Sequence, residues 1–523
     1  MTRRPLRPAA SVGTGILISR VTGLARDVAV AGFLGTRFAA DAYWAAIKIP
    51  NIIRNLLGEG TLSAAFVPVY SASLAAEGPL AADASRRLAR SVLGGVILTA
   101  ALLSGLGVLL APWITGALLA AADVPTRDLT TRLVRILFPM SGVLIVAAWF
   151  LGVLNSHGRF FLPFAAPALW NLSQVAGLFL AARAGAERMA EVLAWSALAG
   201  SVIQLAVQVP AARRLSGVRR PGLEWDHEPV RRVARNTVPV ISSQGVLQIS
   251  SLVDIALAAL AGSGAMAALG YAQRLTYLPI SLFGISVAAA ALPDMSRQVT
   301  ESALRRRVVN GWFQVLYFVL PAAIVFLLFG DLVVRVVYER GEFGAESATL
   351  VTAVLGAYAL GLVAASSIKL FASGFHALQD TATPMRIAIA SVAAGVVSSA
   401  ALTLWMRGAG YGPLAATGLA LGGAIGSWVN LLLLWVLLRK RLGVLFDRPS
   451  LRAVLRLGAA SGLAAGMALG GRALLEPRLA GHGLGGNLLL LLIVLGAGAT
   501  GYLAVARRPP APALAAPGGA DAD

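Results

Sequence analysis

Long apolar stretches separated by short polar loops dominate this chain. Stretches such as 91–113 and 487–506 are long enough to cross a bilayer core of about 30 Å as helices. About fourteen spans of this kind can be placed, each near or above the usual length of about 20 residues. They lie at 13–34, 41–73, 91–113, 130–154, 161–182, 190–210, 232–261, 265–295, 311–337, 347–374, 384–406, 413–438, 453–470 and 487–506. The pattern predicts an all-α polytopic membrane protein.

Composition agrees with this class and excludes several kinds of site. Of the 523 residues, 57% are hydrophobic and 13% are charged, which is unlike a soluble protein. The chain has no Cys, so disulfide frameworks and thiolate metal sites are excluded. The four histidines are far apart and lack ligand spacing: His157, His227, His376 and His482. We expect no metal site built on them and no cofactor.

The net charge of +20 is spread over the short loops, and the basic residues favour alternate loops. The positive-inside rule explains this asymmetry and places both termini in the cytosol, in agreement with an even number of spans. Nucleic-acid binding would need a clustered basic face, and none is present in the pattern.

Loop positions divide the chain into segments. A weak sequence similarity between SAAFVPVYS (63–71) and AAALPDMS (289–296) agrees with two related halves, which is a common plan in transporters. The predicted segments are a cytosolic N-terminal segment 1–12, a six-helix half 13–210, a basic cytosolic loop 211–231, a second six-helix half 232–438, a basic cytosolic loop 439–452, two additional transmembrane helices 453–506 and a disordered cytosolic tail 507–523.

Ionisable residues lie inside several predicted spans. A charge at the bilayer centre costs about 2.5 to 3.5 kcal/mol even on the scale from translocon insertion experiments, which gives the smallest penalties. These groups must therefore face one another, water or a ligand. Structural ion pairs are one interpretation, with Lys369 reaching the membrane surface. The charged or polar groups are Arg20, Arg26 and Asp27 on span one, Asp41, Lys48, Arg54 and Glu59 on span two, Asp254 on span seven, and Gln273 and Arg274 on span eight.

A cation-lined, water-filled cavity between the two halves is the interpretation we favour. Arginine makes bidentate hydrogen bonds to phosphate and carboxylate, so the pattern indicates an anionic, phosphorylated ligand. A membrane-embedded glycosyltransferase would need paired carboxylates on a sizeable loop, and the loops here are short. A scaffold without transport would leave the intramembrane arginines without a purpose. We therefore expect a transporter, not an enzyme.

Several motifs carry a family resemblance. They are SRVTGLARDVAVAGFLGTRFAADAYWAAIKIPNIIRNLLGEGTLSAAFVPVYS (19–71), NSHGRFFLPFAAPALWN (155–171), GYAQRLTYLPISLFGIS (270–286), VYERGEFGAES (337–347) and FHALQDTATPMR (375–386). The chain resembles the MurJ (MviN) lipid II flippases of the multidrug/oligosaccharidyl-lipid/polysaccharide exporter superfamily. The resemblance implies alternating access in the bacterial cytoplasmic membrane, with a central cavity for the diphosphate and sugar head of lipid II. It also implies a groove along the last two helices for the undecaprenyl tail.

Carried over by motif, the resemblance assigns six substrate-binding residues: Arg20, Arg26, Asp27, Asp41, Arg54 and Arg274. Lys48, Glu59, Gln273 and Asp254 are candidate supporting residues. The expected partners are lipid II, membrane lipids and the cell-wall synthesis machinery, and we expect a monomer. The alternative functions are another exporter of polyprenyl-linked oligosaccharides from the same superfamily and a non-transporting membrane scaffold.

The sequence also departs from the family pattern. Gln273 stands where the family usually has an acidic residue, so the cavity is less acidic beside Arg274. Some members bind sodium through an Asp matched by Asp254, together with polar residues on spans eleven and twelve. Gly395, Ser399 and Gly423 stand at those places here, which argues against a sodium site.

Overall fold

The computed structural model describes residues 6–76, 81–296, 300–446, 448–479 and 483–506. Cα packing divides the chain into two compact units, Met1–Ala267 and Ala268–Asp523. All regular elements in the described residues are helical. The predicted tail 507–523 and the first five residues of segment 1–12 lie outside the described part of the chain.

Ten α-helices form the first unit, and an eleventh begins in it. They are α1 (Leu6–Leu34), α2 (Phe38–Leu57), α3 (Glu59–Ala65), α4 (Val67–Ala75), α5 (Ala81–Leu118), α6 (Val124–Ser156), α7 (Phe161–Ala165), α8 (Pro167–Leu180), α9 (Ala186–Ser216), α10 (Glu228–Ala261) and α11 (Ala265–Pro279). Phe66, Tyr70 and Trp149 are fully buried where α3, α4 and α6 meet, and their stacked rings form the aromatic centre of this unit.

The second unit continues α11 through a π-helical turn, Ile280–Ile285, and adds eight α-helices. These are α12 (Ser286–Ser296), α13 (Glu301–Leu328), α14 (Gly330–Tyr338), α15 (Ala345–Ala377), α16 (Ala382–Gly408), α17 (Ala416–Leu442), α18 (Arg448–Leu479) and α19 (Gly483–Val505). A short 3₁₀ turn, Gly412–Ala415, precedes α17. The core of the second unit includes Phe313, Phe371 and Phe375, which are buried between α13 and α15.

Ten helices within the described residues are long and apolar enough to cross a membrane. This confirms the predicted all-α membrane class. The other four predicted spans fall on α1, on α2 to α4, on α7 and α8, and on α10. The span on α1 carries three charged residues, the segments at α2 to α4 and at α7 and α8 are divided into shorter helices, and α10 contributes a shorter apolar segment, Ser250–Ala261. The number fourteen therefore stays a prediction.

Helix α10 packs beside α2, α3 and α5, all within the first unit. Its apolar residues Val230 and Val233 are buried in the same cluster as Trp149. The predicted loop at 211–231 is partly helical, because α9 extends to Ser216 and α10 begins at Glu228. The limits of the two predicted halves remain a prediction, since the two compact units do not test them.

The linker between α9 and α10 lies against α5 at unusually close range. The Gly222 backbone N–H donates to the Arg90 carbonyl (3.2 Å). A Cβ on Gly94 would come within 2.0 Å of the Gly222 carbonyl oxygen, so only glycine allows this approach. Arg90 and Glu224 add an ion pair at 3.8 Å. The linker is thus attached to α5 through backbone contacts.

A stripe of glycines joins α17 to α16, as expected for small residues in membrane helices. A Cβ on Gly422 would meet the Ser399 backbone nitrogen at 2.2 Å, and one on Gly426 would meet the Gly395 Cα at 3.0 Å. The Ser399 hydroxyl donates to the Leu419 carbonyl (3.1 Å). Two of the three positions compared with a sodium site, Gly395 and Ser399, therefore serve helix packing.

Candidate functional site

Helix α1 carries its small residues on one face. Gly15, Ser19 and Gly23 recur every fourth position and share this face. A Cβ on Gly15 would lie 3.0 Å from the Phe164 Cβ, and one on Gly23 would lie 3.5 Å from the Asn171 Nδ2. The missing side chains let α1 approach α7 and α8 closely, which brings the charged end of the stripe against α8.

Arg26 and Asp27 form a buried ion pair at that end, with exposed fractions of 4% and 3%. Arg26 Nη2 and Nε both lie close to Asp27 Oδ1, at 2.6 and 3.0 Å. Arg26 Nη1 donates to Asn171 Oδ1 (3.0 Å), and its guanidinium lies 4.9 Å from the ring centre of Trp170. The guanidinium is therefore held on several sides by the protein.

Asn171 connects this pair to the backbone of α1. Its Nδ2 donates to the Ser19 carbonyl (3.1 Å) and to the Thr22 hydroxyl (3.2 Å), while its Oδ1 accepts from Arg26. Sequence reasoning did not select Asn171, although it ends one of the motifs of the family resemblance. The available signal was a carboxamide in a mostly apolar helix, since such groups in a membrane interior need a partner.

Asp41 occupies a different position, at the first turn of α11. Its carboxylate is 5% exposed, and it accepts from the backbone N–H groups of Gly264 (2.5 Å) and Ala267 (2.7 Å). The N-terminus of a helix has unpaired N–H groups and a positive dipole end, so a carboxylate there is stabilising. Both oxygens of Asp41 thus contact backbone donors. The carboxylate borders a cavity of about 260 Å³ that Asp123 also lines.

The remaining charges of the first unit lie along α2 and α10. Lys48 on α2 and Asp254 on α10 belong to helices that pack against each other. Asn55 Nδ2 donates to Gln248 Oε1 (3.3 Å), which joins the two helices one or two turns further along. Arg54 is half-buried on the same part of α2. These contacts give α2 and α10 a shared polar face.

Not all candidates come together within one unit. Arg20 is exposed on α1, and Arg274 is exposed on α11 in the second unit, next to the half-buried Gln273. Lys369 is exposed on α15. Glu59 begins α3, and its side chain lies outside the described residues. The first unit therefore brings Arg26 and Asp27 into contact, and Asp41 contacts the first turn of α11.

A second feature lies in the second unit, between α13, α18 and α19. It is a groove of about 400 Å³ with an almost entirely apolar lining. Helix α18 contributes small residues, mainly alanines, whereas α19 contributes both small and large residues and α13 contributes mostly large ones. An open apolar groove on membrane-spanning helices suits a hydrocarbon chain.

Comparison with known proteins identifies the family. A family model described as "Lipid II flippase MurJ" matches residues 30–484. The chain belongs to the MurJ family. It is 34% identical over 442 residues to a probable lipid II flippase MurJ of Rhizobium tropici, covering 82% of this chain and 80% of that one. It is 37% identical over 444 residues to the corresponding protein of Rhizobium meliloti (strain 1021), covering 82% and 79%.

Further relatives agree with this membership. The lipid II flippase MurJ of Burkholderia cenocepacia is 32% identical over 446 residues, with 83% of this chain and 84% of that one covered. The family resemblance inferred from motifs is thereby confirmed. Together with the ten apolar helices, the family indicates a multi-pass protein of the cytoplasmic membrane.

Solved structures share the fold. A lipid II flippase MurJ in an inward closed conformation superposes with a TM-score of 0.76 at 23% identity, covering 95% of this chain and 98% of that chain. An inward-facing multidrug resistance MATE family transporter of the MOP superfamily gives 0.66 at 14% identity, covering 84% and 98%. At these identities the likeness concerns the fold alone.

Proposed function

We propose that this protein translocates lipid II from the inner to the outer leaflet of the cytoplasmic membrane by alternating access. Membership of the MurJ family is the observation that carries the proposal. The helices α1, α2 and α11 place arginines within the predicted spans, as an anionic head group requires. Translocation breaks no covalent bond, so the protein needs no catalytic residue.

The proposed binding residues divide into two roles. Arg20, Arg54 and Arg274 are exposed or half-buried, and their planar forks suit bidentate binding of a diphosphate. Arg26 and Asp27 form a buried ion pair against Asn171, so we propose that they hold α1 beside α8 rather than contact the ligand.

Asp41 acts on the substrate through α11 in this proposal, because backbone donors occupy both of its oxygens. Lys48 and Asp254 support the polar face between α2 and α10.

The apolar groove of the second unit fits the undecaprenyl tail. We propose that both termini lie in the cytosol and that the head group moves outward across a potential that is negative inside. Each negative charge gains about 2.3 kcal/mol per 100 mV in that direction, so the membrane potential favours export. We propose a monomer that acts beside the enzymes of cell-wall synthesis.

Reconstitution tests the proposal directly. Proteoliposomes carrying labelled lipid II are scored for the label that becomes accessible to an added quencher, with and without an imposed potential. We expect wild-type protein to expose lipid II, Arg54→Ala and Arg274→Ala to lose most of this activity, and Arg452→Ala to retain it. Arg452 is an exposed arginine on α18 and serves as the matched control.

Two results would overturn the proposal. Lipid II exposure no greater than in empty vesicles, with transport of other polyprenyl diphosphate sugars, would indicate a different exporter. Full support of cell-wall synthesis in cells by Arg54→Ala, at normal membrane levels, would favour a scaffold without transport.

A further inference from the structure

Helices α18 and α19 form a hairpin that is attached to the rest of the second unit by polar contacts at two places. The first is Arg472 on α18. Its Nη1 and Nη2 contact the two carboxylate oxygens of Asp331 on α14 at 2.9 and 2.6 Å. Nη1 also lies 3.5 Å from the Leu328 carbonyl at the end of α13. A planar fork on a carboxylate fixes both distance and orientation.

Glu476 completes this contact from the next turn of α18. Its carboxylate accepts from Arg472 Nε (2.9 Å) and Nη2 (3.2 Å). The Arg472 side chain is only 20% exposed, so water competes less for the pair than at an open surface. We call Arg472, Asp331 and Glu476 the arginine clamp.

The second place lies near the end of α19. Tyr317 Oη on α13 donates to the Ala506 carbonyl (3.0 Å), and Tyr502 Oη on α19 donates to the Tyr317 carbonyl (2.7 Å). The two rings lie 5.3 Å apart and are buried. The hairpin is therefore attached to α13 and α14 near both of its ends.

The apolar groove lies between these two attachments. Phe329, beside the arginine clamp, lines one end, and Tyr502 lines the other. Ala464, Ala468 and Gly498 keep the side of the hairpin shallow. At about 30 Å³ per heavy atom of liquid water, a volume near 400 Å³ holds about 13 heavy atoms, or two to three isoprene units of a polyprenyl chain.

Apolar contact alone does not fix the width of such a groove. Lipid tails are as apolar as the helix surfaces, so helices in a bilayer gain no hydrophobic free energy by closing on one another. Side-chain packing and interhelical hydrogen bonds hold membrane helices together, so the polar contacts at the two ends of the groove can set the distance between the hairpin and α13. The arginine clamp and the tyrosine pair are the described contacts that can do so.

We propose that Arg472 and Asp331 are positioning residues for the substrate tail: they hold the hairpin at the distance from α13 that admits one polyprenyl chain. The inference rests on the proposed function, because it takes the tail of lipid II as the occupant of the groove. Loss of the clamp lets the hairpin move away from or onto α13, which weakens binding of the tail and leaves binding of the head group unchanged.

The test compares two ligands in lipid nanodiscs. One is lipid II, and the other is an analogue with the same head group and a single isoprene unit, which is too short to reach across the groove. We expect Arg472→Met and Asp331→Asn to weaken lipid II binding about tenfold, equivalent to about 1.4 kcal/mol, and to leave the analogue unaffected. Arg478→Met, an exposed arginine near the end of α18, is the matched control.

Charge exchange separates positioning from folding. The double variant Arg472→Asp with Asp331→Arg restores an ion pair between the same helices, so we expect it to regain most of the lipid II affinity. Equal weakening of both ligands by the single variants, or no rescue by the double variant in folded protein, would overturn the inference. Absence of lipid II binding or transport by the wild-type protein would instead refute the proposed function.

Discussion

Replacing Asp41 separates two roles that the same residue can have, namely substrate ligand and helix cap. In Asp41→Ala the backbone N–H groups of Gly264 and Ala267 lose their buried acceptor. Each unsatisfied buried donor costs about 1 to 3 kcal/mol. Removal of a buried charge offsets part of this cost, so we expect a net loss of about 2 kcal/mol.

Thermal unfolding in detergent measures that loss. A unit of 150 to 250 residues shifts its midpoint by about 2 to 4 °C per kcal/mol, and the first unit is close to that size, so we expect a decrease of roughly 5 °C. Asp123→Asn is the control, because this exposed carboxylate lines the same cavity without capping α11. An unchanged midpoint together with a tenfold loss of lipid II affinity would refute the capping role and make Asp41 a direct ligand.

Two further predictions concern other contacts. Asn171→Leu leaves Arg26 without its carboxamide acceptor, so we expect lower thermal stability and slower lipid II translocation, and unchanged values for both would contradict the proposed anchoring. Gly94→Ala places a Cβ against the backbone of the linker between α9 and α10, whereas Gly105→Ala on the same helix meets open space. We therefore expect faster protease cleavage of this linker in Gly94→Ala and an unchanged rate in Gly105→Ala.

The sequence predicted the features that are unusual in a membrane span and that a short stretch of sequence is enough to reveal. Arg26 and Asp27 stood out because charges are costly in an apolar span, and the structure pairs them. The glycine stripe of α17 can also be recognised in the sequence, because residues four apart lie on the same face of a helix. The residue pattern alone indicated only an anionic, phosphorylated ligand. The family motifs added the expectation that this ligand is lipid II.

Partners distant in sequence could not be predicted. Asp41 and the start of α11 are more than 220 residues apart, and Arg472 and Asp331 are 141 apart, so only tertiary packing joins them. The family resemblance assigned Asp41 to substrate binding, which agrees with the general rule that intramembrane carboxylates are functional. Helix capping satisfies the same carboxylate in another way, and no local pattern distinguishes the two.

The apolar groove also determines how an inhibitor can reach this protein. Its mouth is bordered by lipid-facing side chains such as Phe318 and Leu503, which are exposed on the membrane-spanning helices. A compound that competes for the groove must first dissolve in the bilayer and then enter sideways between helices. Its potency should therefore follow its concentration in the membrane, and two compounds with equal contacts in the groove should differ in potency by the ratio of their partition coefficients.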